Sequence, residues 1–461
     1  MEPKAQIQNP LFSRDTLVKL IVPLIIEQLL LMTVGMADTM MVTTAGEAVV
    51  SGVSLVDNIN ILIINIFSAL STGGAVVVSQ YLGRQDVEKA RSAAKQLLYV
   101  AVIAGVGLMA VALIFREHIL RLIFGQISQE IMDSALIYFL LTAAAYPFIA
   151  IYNAGAALFR AMGNSKVSMF NSLIVNIVNI SVNAILIYGF QMGSAGVGIG
   201  TLVSRIVAAA IIGIMITRPT HLVYIERLFH PEMHWPMVKR ILGIGIPNGV
   251  ENGMFQVGKL LVLGLITSFD VGVDVAIMGS AVADNAIANS IAGVVNVPGQ
   301  GLGLAMITVI GQCMGAGDDK QAVAYSKKLM KVAYLSMGLM SIALFFAAPP
   351  LVPLFNLTPA TAAMTTEVLQ VCAVFNIIFW PRAFVLPIVL RAAGDAKFTM
   401  VVSMISMWVC RIGLSYLLGA SWGLNWGLLG VWLAMFCDWI VRAVVFLIRF
   451  ITGGWKKHKV I

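Results

Sequence analysis

Twelve apolar runs, each long enough to cross a bilayer, leave this chain almost no way to fold in water. They cover roughly 17–42, 49–79, 94–115, 135–159, 167–190, 196–217, 238–266, 276–311, 329–348, 366–390, 398–419 and 427–449. A spanning helix needs about 20 apolar residues. The second and eighth runs exceed a single crossing, which predicts tilt or a kink. Only 11% of the 461 residues are charged and 59% are hydrophobic. A soluble domain carries about 25% charged residues, so this chain has too few to cover a water-facing surface. The expected fold class is an all-α polytopic membrane protein. Residues 1–16 are polar and the first run is long enough to span, so no cleavable signal peptide is expected.

The basic residues test this count. Twenty-three Lys and Arg, from Lys4, Arg14 and Lys19 through Arg227 to Lys459, fall on one side of the membrane. Only Arg116 and Arg121 fall on the other, and Arg205, Lys259, Arg382, Arg411 and Arg442 lie within spans. Cytoplasmic loops are the basic ones, which places both termini in the cytoplasm of a plasma (inner) membrane protein. The net charge of +8 therefore flanks spans and forms no continuous nucleic-acid face. Cys313, Cys372, Cys410 and Cys437 show no CxxC or CxxH spacing and read as small buried hydrophobes. The histidines, His230 among them, lie in or beside loops. With no GxSxG, HExxH or Walker motif and only short outer loops, neither an enzyme nor a cofactor is expected.

The chain repeats itself. "SQYLGRQDVEKA" (79–90) matches "GQCMGAGDDKQA" (311–322), and "LFRAMGNSKVSM" (158–169) matches "VLRAAGDAKFTM" (389–400). "VPLIIEQ" (22–28) matches "IPNGVEN" (246–252). These pairs predict two like-oriented six-helix lobes, 1–217 and 238–461, joined by a polar linker at 218–237. Such repeats about an axis along the membrane normal are a transporter architecture.

Polar residues within spans mark ion pathways by default. Asp38 lies near the outer end of the first span. Ser172, Asn176, Asn179 and Asn183 recur at steps that place them on one face of the fifth. Thr201 lies one to two turns into the sixth, so Asp38, Asn179, Asn183 and Thr201 are expected at one depth. A carboxylate with amide and hydroxyl oxygens suits Na+, with Asp38 as its charged ligand. The same buried carboxylate also suits a proton. Glu27 shares a helix face with Asp38, about 16 Å away at 1.5 Å per residue. Pro23, one turn earlier, is the expected hinge. Glu251 follows Pro247 by four residues in the second half. Glu27, Glu251 and Asn176 are secondary polar candidates. Asp438 and Arg442 are spaced for an internal ion pair.

With its doubled QYLGRQD/QCMGAGD and RAMGNSK/RAAGDAK loops, "PLIIEQLLLMTVGMADT" and "WIVRAVVFLIRFITGGW", the chain resembles the multidrug and toxic compound extrusion (MATE) family over essentially its whole length. The resemblance implies two six-helix lobes around a central cavity. It also implies antiport of organic, often cationic, compounds against Na+ or H+, by a monomer. Asp38, Asn179, Asn183 and Thr201 resemble the cation site of the family's DinF-like branch, which usually has an acid where this chain has Asn183. The NorM-like branch carries a glutamate eight residues after the second proline, where this chain has Phe255. A flippase for lipid-linked oligosaccharides is the alternative, because related folds do that.

Overall fold

The structure is a computed structural model that describes residues 10–125, 127–226, 232–270, 280–355, 358–458 and 460–461. Lys4, Arg227, His230, Lys459 and the first residues of the 276–311 run lie outside them. Every element among the described residues is helical. Eleven helices are long and apolar enough to span, or twelve when Gln129–Ala144 and Tyr146–Ala161, bent by 44°, are taken as one crossing.

The first half contains α1 (Arg14–Thr43), α2 (Glu47–Gly83), α3 (Val87–Phe124), α4 (Gln129–Ala144), α5 (Tyr146–Ala161), α6 (Ser165–Ala184) and α7 (Gly193–Ile216). The second contains α8 (Trp235–Phe269), α9 (Ala281–Val295), α10 (Val297–Gly315), α11 (Asp319–Leu351), α12 (Pro359–Ile378), α13 (Leu386–Ala392), α14 (Ala396–Ser406), α15 (Leu414–Gly419) and α16 (Gly427–Thr452). Wide π-helical turns occupy Ile185–Gly189, Pro381–Val385 and Met407–Gly413. The chain forms two compact units, one built on Asn9–Gly249 with Gly311–Gly317, the other on Val250–Ile310 and Asp318–Lys459.

The doubled motifs are turn chemistry. Asp86 caps α3 by accepting from the Lys89 amide at 3.1 Å, and Asp318 caps α11 by accepting from the Gln321 amide at 2.9 Å. The residue before each cap is left-handed, Gln85 at φ 62° and Gly317 at φ 72°. Gly163 and Gly394, in the second motif, end their helices at φ 81° and 104°. Gly83 and Gly315 serve close packing within the first unit. A Cβ on Gly83 would overlap the Gln312 carbonyl, and one on Gly315 would overlap the Gln80 carbonyl.

Helix α1 runs unbroken through Pro23. Proline has no N–H, so the Lys19 carbonyl four residues earlier loses its helical donor. Ser165 of α6 supplies one, its hydroxyl donating to Lys19 O at 3.2 Å and Leu20 O at 2.8 Å. Between the halves, the Ile225 amide donates to Ile216 O at 2.9 Å, and Val223 and Ile225 are buried.

The glycine seam has a direct test. Gly83→Ala and Gly315→Ala must each push backbone apart, and overpacking costs about 1–3 kcal/mol. Each should lower the Tm of the purified protein by a few degrees. Gly107→Ala and Gly213→Ala, which face open space, should leave it nearly unchanged or slightly raised.

Candidate functional site

The site grows from two helices lying side by side. α6 binds α1 along its length with a ladder of short polar side chains. Ser165 takes the carbonyls freed near Pro23. Ser168 donates to Glu27 Oε2 at 2.6 Å, Asn176 to the Leu30 carbonyl at 2.8 Å, and Asn183 to Asp38 Oδ1 at 2.8 Å. The partners advance together, so the helices run parallel. The Asn176 amide N–H thus holds backbone.

At the top of this ladder the structure brings Asp38, Asn183 and Asn179 together. The Asn183 amide also donates to Asn179 Oδ1 at 3.3 Å. Asn179 and Asn183 are buried, while Asp38 is half-buried and makes no other hydrogen bond among the described residues. Gly200 of α7 packs so tightly that a Cβ there would overlap Asn183 Oδ1, which is itself buried without a partner. Thr201, the next residue, makes no hydrogen bond to Asp38 among the described residues. Tyr138 donates to Asp57 Oδ1 at 2.9 Å. Asn60 also donates to Asp57, and Tyr146 donates to Asn60 Oδ1 at 3.0 Å. Arg205 lies within electrostatic reach of Asp38, Tyr138 and Tyr152, yet forms no ion pair with Asp38 among the described residues. Its Nε is buried without a hydrogen bond.

The other candidates have charged partners that sequence reasoning missed. Arg160 meets Glu27 Oε1 at 3.0 Å, and Arg391 meets Glu251 Oε1 at 2.9 Å. Ser403 donates to the same Glu251 oxygen at 2.7 Å. Both arginines belong to the doubled RA(M/A)G motif and both glutamates to the doubled Pro-x-x-x-Glu. The signal was present as two repeats, but nothing in one dimension joined them. Asp57 and Asp284 are likewise repeat-related, and Thr365 donates to Asp284 Oδ1 at 2.5 Å where Tyr138 serves Asp57.

Breaking a buried ion pair by removing one partner costs about 3–5 kcal/mol, more than replacing both. Glu27→Leu and Arg160→Met should each lower Tm further than the double variant does. A double variant whose loss equals the sum of the single losses would show that the two side chains are not coupled.

The chain matches the MatE family profile over residues 23–185 and 266–417, more than half its length. It is 26% identical over 453 residues to a "Probable multidrug resistance protein NorM" of Thermotoga maritima, covering 97% of this chain and 94% of that protein. It is 29% identical over 467 residues to an "Uncharacterized transporter YisQ" of Bacillus subtilis, covering 97% and 96%. Among solved structures it resembles an outward-facing multidrug resistance MATE family transporter of the MOP superfamily, with TM-score 0.86, 21% identity and 96% of each chain covered. A MATE transporter in the bent conformation matches with TM-score 0.84 and 22% identity over 96% of each chain.

Proposed function

This chain belongs to the MatE family, and from that premise we propose that it is a multidrug exporter coupled to an ion gradient through Asp38. Organic cations leave the cell as H+ enters. The lobes are the two repeats, 1–217 and 238–461, with 218–237 between them, and a single chain in the plasma membrane, both termini cytoplasmic, does the work. The relatives' names support the substrate class; they lend the flippase reading no support.

The observation that carries the coupling role is the Asn183–Asp38 hydrogen bond. An ionised carboxylate only accepts hydrogen bonds, and the amide N–H meets it at 2.8 Å. A protonated Asp38 donates as well as accepts, and Asn183 then answers by turning its carbonyl toward it. One amide thus reads both protonation states. An acid in place of Asn183 would set two carboxylates at hydrogen-bonding distance. The amide gives Asp38 a standing N–H partner instead, leaving a single charge.

The same geometry argues for H+ over Na+. Na+ needs several oxygens turned toward it. Here the one hydrogen-bonding partner of Asp38 among the described residues is an amide N–H. Na+ binding would require further oxygens to turn toward Asp38, where a proton requires one.

Proteoliposomes loaded with a fluorescent organic cation test the proposal. An imposed pH gradient should drive transport and a Na+ gradient should not. Asp38→Asn should abolish the gradient dependence, a loss of at least about tenfold, since an intramembrane acid of this kind carries the pathway. Transport by wild type under neither gradient, or an unaffected Asp38→Asn, sinks the reading. Asn183→Asp adds the second carboxylate and should create a Na+ response. Pro23→Ala with unchanged transport would remove the hinge role from that proline.

A further inference from the structure

We propose that the unit built on Val250–Ile310 and Asp318–Lys459 holds a second recognition site, in which Arg411 and Lys259 beside Phe255 bind a carboxylate carried by the transported compound. The inference rests on the exporter reading and adds an anionic requirement to it.

Three cations surround one ring. Lys259 Nζ lies 5.0 Å, Arg411 Cζ 4.9 Å and Arg442 Cζ 5.9 Å from the centre of Phe255. Lys259 and Arg411 lie within electrostatic reach of each other. Among the described residues the acid facing this group is Asp438 of α16. Its Oδ1 is taken by Arg442 Nε at 2.7 Å and by the Ser406 hydroxyl at 2.6 Å. Its Oδ2 stands 3.9 Å from Arg411 Nη1, too far for a hydrogen bond, and is buried without one. Glu251, one turn before Phe255, is committed through Oε1 to Arg391 and Ser403. Three positive charges therefore share one negative charge, which pairs closely with Arg442 and only at 3.9 Å with Arg411.

Arg411 is the informative member. It is 9% exposed, yet none of its guanidinium N–H groups has a hydrogen bond among the described residues. The wide π-helical turn Met407–Gly413 places it, and such turns gather at functional positions. A Cβ on Gly258 would overlap Met407, so this turn sits hard against α8 beside Phe255 and Lys259. Lys259 is exposed and unbonded among the described residues, with the Phe255 ring 5.0 Å from its ammonium. An ammonium and a guanidinium left this way inside a membrane protein are costly, and they point to a water-filled opening where a guest completes them. A guanidinium fork with a neighbouring ammonium matches a carboxylate.

Two dyes with one fluorophore isolate the carboxylate: rhodamine 110, the free acid, and rhodamine 123, its methyl ester. Binding is read by fluorescence polarisation on the full-length protein in phosphatidylcholine nanodiscs. Wild type should prefer the free acid by about tenfold, the scale of one charge-assisted contact. Arg411→Gln and Lys259→Gln should each remove that preference and leave the ester within about twofold. Arg411→Lys should keep part of it. Lys259→Gln removes an exposed, unbonded side chain, so it keeps the test valid should Arg411→Gln fail to fold. No preference in wild type, or equal weakening of both dyes in the variants, overturns the proposal. So does loss of the preference when phosphatidylglycerol is added, which would assign the site to a lipid headgroup. Asp38→Asn should lose gradient-driven export while keeping the dye preference, so failure of the coupling reading and failure of this one are separable.

Discussion

A polar group without a partner costs several kcal/mol inside a bilayer, and nearly every specific contact in this protein answers that cost. Helices satisfy the backbone by themselves, which is why the apolar runs are helical among the described residues. The exceptions are then visible as side-chain contacts. Pro23 frees a carbonyl and Ser165 takes it. Glu27 and Glu251 are buried and each has an arginine. Asp284 is a buried acid and Asp57 a half-buried one, each with a hydroxyl donor.

The repeats separate scaffold from function. Features present in both halves are structural: the left-handed residue and aspartate cap of one loop, the glycine and arginine of the other, and the proline-glutamate pair. Features present in one half carry the uncommitted charge. At the repeat offsets, Asp38 corresponds to Val262 and Asn183 to Leu414. The first half thus keeps a carboxylate facing amides, while the second lacks that pair and gathers Arg411, Arg442 and Lys259 about Phe255. The lobes share a frame and differ in the sign of what they offer.

Much of this was legible along the chain, and the limits have physical causes. The span count, the two-fold repeat and the polar face of α6 follow from period and length, which a linear reading measures directly. Asn183 of that face bonds Asp38, but the role of each residue was not readable. Asn176 bonds a backbone carbonyl, and Asp57 takes its hydroxyl donor from Tyr138. Neither fact has a local signature, because backbone carbonyls are uniform along a helix and Tyr138 lies on another span. Arg160 and Arg391 looked like ordinary basic loop residues until the fold carried them to Glu27 and Glu251.

The sequence by itself determined that this chain spans a membrane with helices, that it does so twice over in related halves, and that Asp38 is a charge in need of a reason. Hydrophobic length and the expense of an ionised group in hydrocarbon suffice for that. Tertiary structure alone decided which polar groups spend their hydrogen bonds on one another. That pairing depends on distances across helices far apart in the chain. It leaves Asp38 held by one amide and the Arg411 guanidinium with no hydrogen bond among the described residues, and those two are where we propose that an ion and a substrate bind.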